Sequence, residues 1–332
     1  MSDQVLTMVE AARAEPATQN TGYIGIYASS YQTNFVAPVQ ASDRVFPWQV
    51  EDDLSYTGST GSRAIDSDFD ATQANFKPYE SEVKAYGGKI KVDEYIVDNM
   101  PMSIPRQKAS QVRSFARKLF IDTFEGEGGA DLRGLRSWLG GDSASRSAAL
   151  IATGYSTQVI NAGSTASGDV LTIDMMDECL SNLEVIPGQS FVYGNDILIR
   201  RLMRLCRGDT TSAAGYNIQF NPAEVGRFDS TYRNVPLVSA RDGKNADLLS
   251  TTEYDATTNQ NTLSLYFVTW GVEQCTYFST NPAGVAGVPM PEVKDVGDGS
   301  NYQYTRFKHY VGFVPQQPRS IVRLRGLKNS IS

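Results

Sequence analysis

The sequence predicts an α+β chain, and three observations carry that prediction. Two extended runs flank a tip rich in Gly and Ser between Arg44 and Lys91. One long stretch, Lys108 to Thr123, repeats its apolar residues at helical spacing. Beyond Thr172 the pattern runs helix, strand, helix and then mainly strand, so helices hold the middle and strands gather toward the C-terminus.

The elements follow in order. Residues 1–43 show no sustained period, but Tyr23, Ile24, Ile26, Tyr27, Tyr31, Phe35 and Val36 carry too much apolar surface for a pure linker. They read as an arm that orders against a neighbouring subunit. Residues 44–91 read as a long hairpin. Val45-Phe46-Pro47-Trp48-Gln49-Val50 is one strand, Tyr56 to Ser62 the turn-rich tip, and the alternation of Tyr79, Ser81, Val83 and Ala85 with Glu80, Glu82 and Lys84 the return. Two strands alone are marginal in water, so such a hairpin needs another subunit to lie on.

In the long helix, Val112, Phe115, Ala116, Leu119, Phe120 and Thr123 recur at three- and four-residue steps, and Gly126, Gly128 and Gly129 mark its end. The Gly-, Ser- and Ala-rich stretch from Gly140 to Gly168 suits loops. Thr172 can cap a helix with the stripe Ile173, Met176, Cys179, Leu180 and Leu183. Ser190 to Tyr193 reads as a buried strand, and Asn195 can cap a second helix with Leu198, Leu202 and Leu205 on one face. Val235 to Val238, Leu263 to Val272 and Tyr310 to Leu324 read as strands.

Composition narrows the function. The chain has 332 residues, 41% hydrophobic and 20% charged, which is ordinary for a globular protein. Its formal charge of −7 argues against a free nucleic-acid binder, although a container with a locally basic lining is compatible with it. Met1-Ser2-Asp3-Gln4 has no basic n-region, and the most apolar segment, Leu263 to Val272, is too short to span a bilayer, so no membrane partner is expected. The three cysteines, Cys179, Cys206 and Cys275, fit neither a disulfide framework nor a zinc spacing; buried free thiols and a reducing cytoplasm are expected.

Chemistry-bearing motifs are missing. With His309 the single histidine, His-x-x-His metal pairs are excluded, and His309 reads as structural. Gly88-Lys89 and Gly243-Lys244 are followed by Ile90 and Asn245 where a phosphate-binding loop requires Ser or Thr. Asp66-Ser67-Asp68-Phe69-Asp70 begins like a calcium loop, but Ala71 replaces its Gly and Lys77 its closing Glu. No catalytic, metal or cofactor site is therefore expected.

The order of parts resembles the major capsid proteins of tailed bacteriophages, the Hong Kong 97 fold. Tyr86 to Tyr95 looks like the strand that leaves the hairpin in one branch of these proteins. The long helix running into Phe124-Glu125-Gly126 and then Leu132 to Leu139 looks like their spine helix and the segment after it. Leu171 to Leu202 is similar to their helix, strand, helix unit, and Pro315 to Gly326 to their closing strand. The resemblance starts near Arg44. It implies an arm (1–43), an extended hairpin or E-loop (44–91), a peripheral domain with the spine helix (92–170), an α/β axial domain (171–305) and closing strands (306–332).

The same resemblance implies a shell-building protein, not an enzyme, forming hexamers and pentamers around double-stranded DNA in a virion assembled in the bacterial host cytoplasm. A portal protein is an expected partner, with room for a decoration protein. A separate scaffolding protein is expected as well, since the sequence shows no long charged helical N-terminal extension. An encapsulin-like compartment holding an enzyme cargo shares the fold and is the alternative; a soluble hydrolase is the third. Phe46, Trp48 and Tyr56 are expected to anchor the hairpin on neighbouring subunits. In similar proteins the spine helix lines the inner wall, so Arg106, Arg113, Arg117 and Lys118 are expected to face the genome. The contrast in charge supports this: residues 43–98 hold twelve Asp or Glu against six Lys or Arg, whereas 106–136 and 319–328 are basic.

Overall fold

The computed structural model describes residues 39–41, 44–53, 75–93, 103–139, 158–162, 168–208, 218–221, 229–241, 247–249, 253–254, 261–280, 292–297 and 302–329. The N-terminal arm up to residue 38, the hairpin tip with Tyr56, the acidic run Asp66 to Asp70 and most of Gly140 to Gly168 lie outside these residues.

In chain order the described elements begin with β1 (Val39–Ala41), β2 (Val45–Asp53), β3 (Asn75–Glu82) and β4 (Lys84–Asp93). The long helix α1 (Ser103–Glu125) and the short α2 (Leu135–Trp138) follow. Next come β5 (Val159–Asn161), α3 (Ile173–Asn182), β6 (Ser190–Gly194), α4 (Asp196–Gly208), β7 (Ile218–Asn221), β8 (Asp229–Tyr232), β9 (Val235–Ser239) and β10 (Glu253–Tyr254). The chain closes with β11 (Asn261–Thr269), β12 (Cys275–Ser279), β13 (Glu292–Gly297), β14 (Tyr302–Pro315) and β15 (Ile321–Lys328).

The two extended runs of the hairpin pair as β2 and β3, antiparallel, with Trp48 opposite Tyr79. At Val83 the pairing partner changes. From Lys84 the chain becomes β4 and pairs antiparallel with β14, so that Lys84 meets Val311 and Asp93 meets Tyr302. Along its first two thirds β14 has β4 on one edge and β13 on the other, and its last residues pair with β12. These strands, with β1 beside β12, form the first sheet.

The second sheet runs β5-β15-β11-β6-β9-β8-β7, with β10 on β11. It is mixed: β5 is parallel to β15 and β6 to β9, while the other pairs are antiparallel. β11 is buried on both faces, which explains its nearly continuous apolar reading. Leu263, Leu265 and Phe267 join the core under α3 and α4. Tyr266 and Val268, on the alternate face, join the core around α1. One sheet thus separates two cores.

Helix α1 starts at Ser103, earlier than its stripe suggests, because Pro105 is tolerated in a first turn where its missing N–H has no helical partner anyway. Its C-terminal half buries Ala116, Leu119, Phe120 and Phe124. Phe124 meets Tyr193 of β6 at 5.0 Å and Tyr266 of β11 at 5.4 Å between ring centroids, which ties the helix to the second sheet. The chain then folds back: Gly134 donates its N–H to the carbonyl of Gly126 at 2.8 Å. A Cβ on Gly126 would lie 2.1 Å from the Leu132 carbonyl oxygen, so only glycine fits this return.

Two other details bear on the sequence reading. Thr172 caps α3, its hydroxyl accepting from the Met175 N–H at 3.4 Å. The closing run, read as one strand from Tyr310 to Leu324, is two strands. Pro315 ends β14, a single 3-10 turn at Pro318–Ser320 follows, and β15 then enters the second sheet. The basic tail 319–328 is largely that interior strand. Arg323 is 1% exposed, its Nε donating to Ser264 Oγ at 3.2 Å.

Candidate functional site

The described residues offer surfaces rather than a catalytic cleft. His309 is buried against the edge of Phe115, with ring centroids 5.7 Å apart. Burial lowers its imidazole to about 4, so it stays neutral over most of the pH range. Cys179 and Cys275 are buried free thiols; burial raises Cys275 to about 12, which keeps it protonated and unreactive. Among the described residues no group of three or more His, Cys, Asp and Glu is placed to hold a metal, and no helix is long and apolar enough to cross a membrane.

The first surface is the hairpin. Alternation in β2 and β3 turns Phe46, Trp48, Tyr79 and Ser81 toward the body of the chain, where Phe46 stacks on Phe278 at 4.9 Å. Trp48 stacks on Tyr79 at 4.9 Å, meets Trp138 edge-on at 5.6 Å and donates its indole N–H to Ser81 Oγ at 3.1 Å. Trp48 is only 5% exposed within the single chain, so its contact area is spent on its own subunit rather than kept for a neighbour. Phe46 is half-buried in the same way, and Tyr56 lies outside the described residues. Pro47, Gln49, Pro78, Glu80 and Glu82 occupy the exposed side of the hairpin base.

The second surface is the outer side of α1. Arg106, Arg113 and Arg117 are spaced along one stripe, and Arg113 and Arg117, one turn apart, are both exposed. The Arg106 side chain lies outside the described residues. Lys118 points elsewhere: its ammonium meets Asp122 at 2.8 Å and Asp131 at 3.4 Å. The hydrogen bond to Asp122 is the main reason the Lys118 ammonium lies above the usual lysine range. The structure thus groups the two arginines and separates Lys118 from them.

The third surface was not read from the sequence. Tyr86, Ile90, Thr305 and His309 are buried under α1, so the alternate residues of β4 and β14 face the other way. These are Ala85, Gly87, Lys89 and Lys91 on β4, and Tyr304, Arg306, Lys308 and Tyr310 on β14. All of them but Lys91 line a groove of about 480 Å³. The Lys89 ammonium sits 3.7 Å above the Tyr304 ring and that of Lys308 4.4 Å above Tyr310. The signal was present as cations at alternate positions. It was split between two strands more than 200 residues apart in sequence, and only register unites them.

No protein-family model matches the sequence, and no curated protein matches it. The fold does match solved structures. An encapsulin of Synechococcus elongatus PCC 7942, solved in its holo complex, aligns with a TM-score of 0.60 at 14% identity, over 88% of this chain and 86% of that one. The capsid of cyanophage A-1(L) aligns with a TM-score of 0.60 at 12% identity, over 89% of this chain and 92% of that one. The capsid of Ralstonia phage GP4 gives 0.56 at 12%, over 90% and 91%. The α+β chain therefore has the Hong Kong 97-type fold of these shells, across nearly its whole length.

Proposed function

We propose that this chain is the major capsid protein of a tailed bacteriophage, building hexamers and pentamers of an icosahedral shell around double-stranded DNA. The observation that carries the reading is the near full-length match of one fold to phage capsids and an encapsulin, all of them shells. It is a structural role: the hairpin, the exposed helix and the sheet face are contact surfaces, and no step of chemistry is asked of them. Scaffolding and portal proteins belong to this reading as separate partners, a decoration protein has a place on the finished shell, and assembly occurs in the host cytoplasm. The division into arm (1–43), E-loop (44–91), peripheral (92–170) and axial (171–305) domains and closing strands (306–332) goes with it.

Within this reading Arg106, Arg113 and Arg117 face the packaged genome. Lys118 contributes less, because Asp122 and Asp131 offset its charge. Each exposed arginine contributes a sequence-independent, salt-screened attraction on the order of 1 kcal/mol or less. Tyr56, at the hairpin tip, is the contact left to anchor on a neighbouring subunit once Phe46 and Trp48 are packed at home.

The encapsulin match supports a second reading, a cage that holds a protein cargo. The contents separate the two. Particles purified after nuclease treatment should release long double-stranded DNA if this is a virion shell, and a stoichiometric folded protein if it is a cargo cage. Reversing Arg113 and Arg117 to Glu should leave shells intact while lowering the DNA they retain.

A further inference from the structure

Two crossings between the sheets lie at one place. The chain leaves β11 at Thr269 and starts β12 at Cys275 through a tight turn, and it leaves β14 at Pro315 and starts β15 at Ile321 through the 3-10 turn. Because β14 pairs with β12 and β15 with β11, the second crossing flanks the first on one side. The other side belongs to β6, whose Ser190 lies opposite Thr269, and to β1, whose Val39 lies beside Tyr277. The loop that leads from α3 into β6 spans this junction. At one end the Glu184 N–H donates to the Arg319 carbonyl at 2.8 Å, and at the other the Trp270 N–H donates to the Gln189 carbonyl at 2.9 Å. The Gln274 side-chain amide donates to Glu184 Oε2 at 3.2 Å, and that of Gln316 to the Val272 carbonyl at 2.7 Å.

This hydrogen-bonded surface carries the two exposed large apolar side chains among the described residues, Val272 at 59% and Val185 at 41% exposure. Glu184, Glu273 and Arg319 are exposed around them as a charged rim. One exposed valine is ordinary, but two on adjoining loops that are tied together make a patch. The direction of β1 shows what reaches it. β1 is parallel to β12, so the chain before Val39 runs back past Cys275 toward the turn that carries Val272. At about 3.3 Å per residue, an extended chain places Val36 about 10 Å and Phe35 about 13 Å from Val39 in that direction. Pro38 disfavours a helical conformation at Ala37, which suits this extended course. Residues 16–42 contain no Asp, Glu, Lys or Arg, and Tyr31, Phe35 and Val36 stand nearest to β1 among the apolar residues of the arm.

We propose that residues 31–37 dock on this patch in their own subunit, with Tyr31, Phe35 and Val36 covering Val185 and Val272. The root of the N-terminal arm then clasps the junction of the two sheets, and the residues before it leave the subunit from a fixed point. Docking takes apolar surface out of water, and an uncharged segment brings no charge into burial with it. The contact lies within one chain, so it goes beyond the shell-building reading and does not depend on it.

Two measurements on the full-length chain test it. Benzoylphenylalanine is placed at position 35, isotopically heavy and light chains are mixed before assembly, and the sample is irradiated. Cross-linked peptides should join position 35 to residues 184–189 or 271–274 within one isotopic form. No link, or links to other parts of the chain, overturn the proposal. So do mixed heavy–light links, which would assign the patch to a second copy. Separately, Val185→Ser with Val272→Ser should lower the melting temperature by at least about 2 °C, and so should Phe35→Ser with Val36→Ser. All four together should fall no further than the larger of the two pairs, because the same contact is lost once. An unchanged melting temperature in either pair, or a fourfold variant whose drop is the sum of the two, overturns the proposal. If these results come from a chain that stays monomeric, the contact stands and only the shell reading fails; if shells form without them, only this contact fails.

Discussion

The Tyr86 hydroxyl donates to Asp122 Oδ2 at 2.8 Å and accepts the Leu132 N–H at 3.0 Å, so one phenol ties strand β4, helix α1 and the turn after it. Asp122 also takes Lys118. This junction holds the basic sheet face and the arginine stripe of α1 in fixed relation on opposite sides of one layer. Tyr86→Phe leaves the Leu132 N–H and a carboxylate oxygen without this buried partner, at a cost of about 1–3 kcal/mol. Denaturant unfolding should show a lower midpoint with an unchanged slope. Burial, then the Asp122 hydrogen bond, pushes the Tyr86 phenol above its ordinary 10, so its contribution is complete below pH 10 and is lost as the pH rises further. The variant should therefore lose part of the wild-type alkaline sensitivity.

His309 gives the opposite window. Its imidazole lies at about 4 in the folded chain against 6.5 when free, because burial disfavours the charged form. As the pH falls below 6.5 the unfolded chain takes up this proton and the folded chain does not, so stability drops until the pH reaches about 4. The full loss is on the order of 3 kcal/mol. His309→Phe, which keeps a ring against Phe115, should flatten the stability profile between these limits; an unchanged slope would contradict the assignment.

Gly126→Ala tests the return after α1. The added carbon would meet two backbone oxygens, 2.1 Å from Leu132 and 2.4 Å from Asp122, and neither is the end of a flexible side chain. A cost of about 3 kcal/mol or more is expected, read as a lower melting temperature and earlier proteolysis near the helix end.

Much of the fold was legible because period and burial coincide. Leu119, Phe120 and Thr123 recur at helical steps and are buried. Thr172 precedes α3 and caps it. The hairpin alternation of Tyr79 and Ser81 with Glu80 and Glu82 survives as β3. What stayed hidden depends on long-range register. The first half of β14 alternates Tyr304, Arg306 and Lys308 with Thr305 and His309, and neither set is plainly apolar, so the strand was read only from Tyr310. Arg323 looks like surface charge in sequence and is buried because β15 is an interior strand. Trp48 reads as an exposed anchor until α2 folds back and sets Trp138 against it.

The most direct test of the shell reading is electron microscopy of the purified chain, beside a variant lacking Tyr56 to Ala71. The account predicts curved multi-subunit assemblies built from five- and six-membered rings, closed or partly closed, for the full chain. The deletion should give folded free subunits and no shells. A full chain that stays monomeric at every concentration, or a deletion variant that forms normal shells, would contradict it.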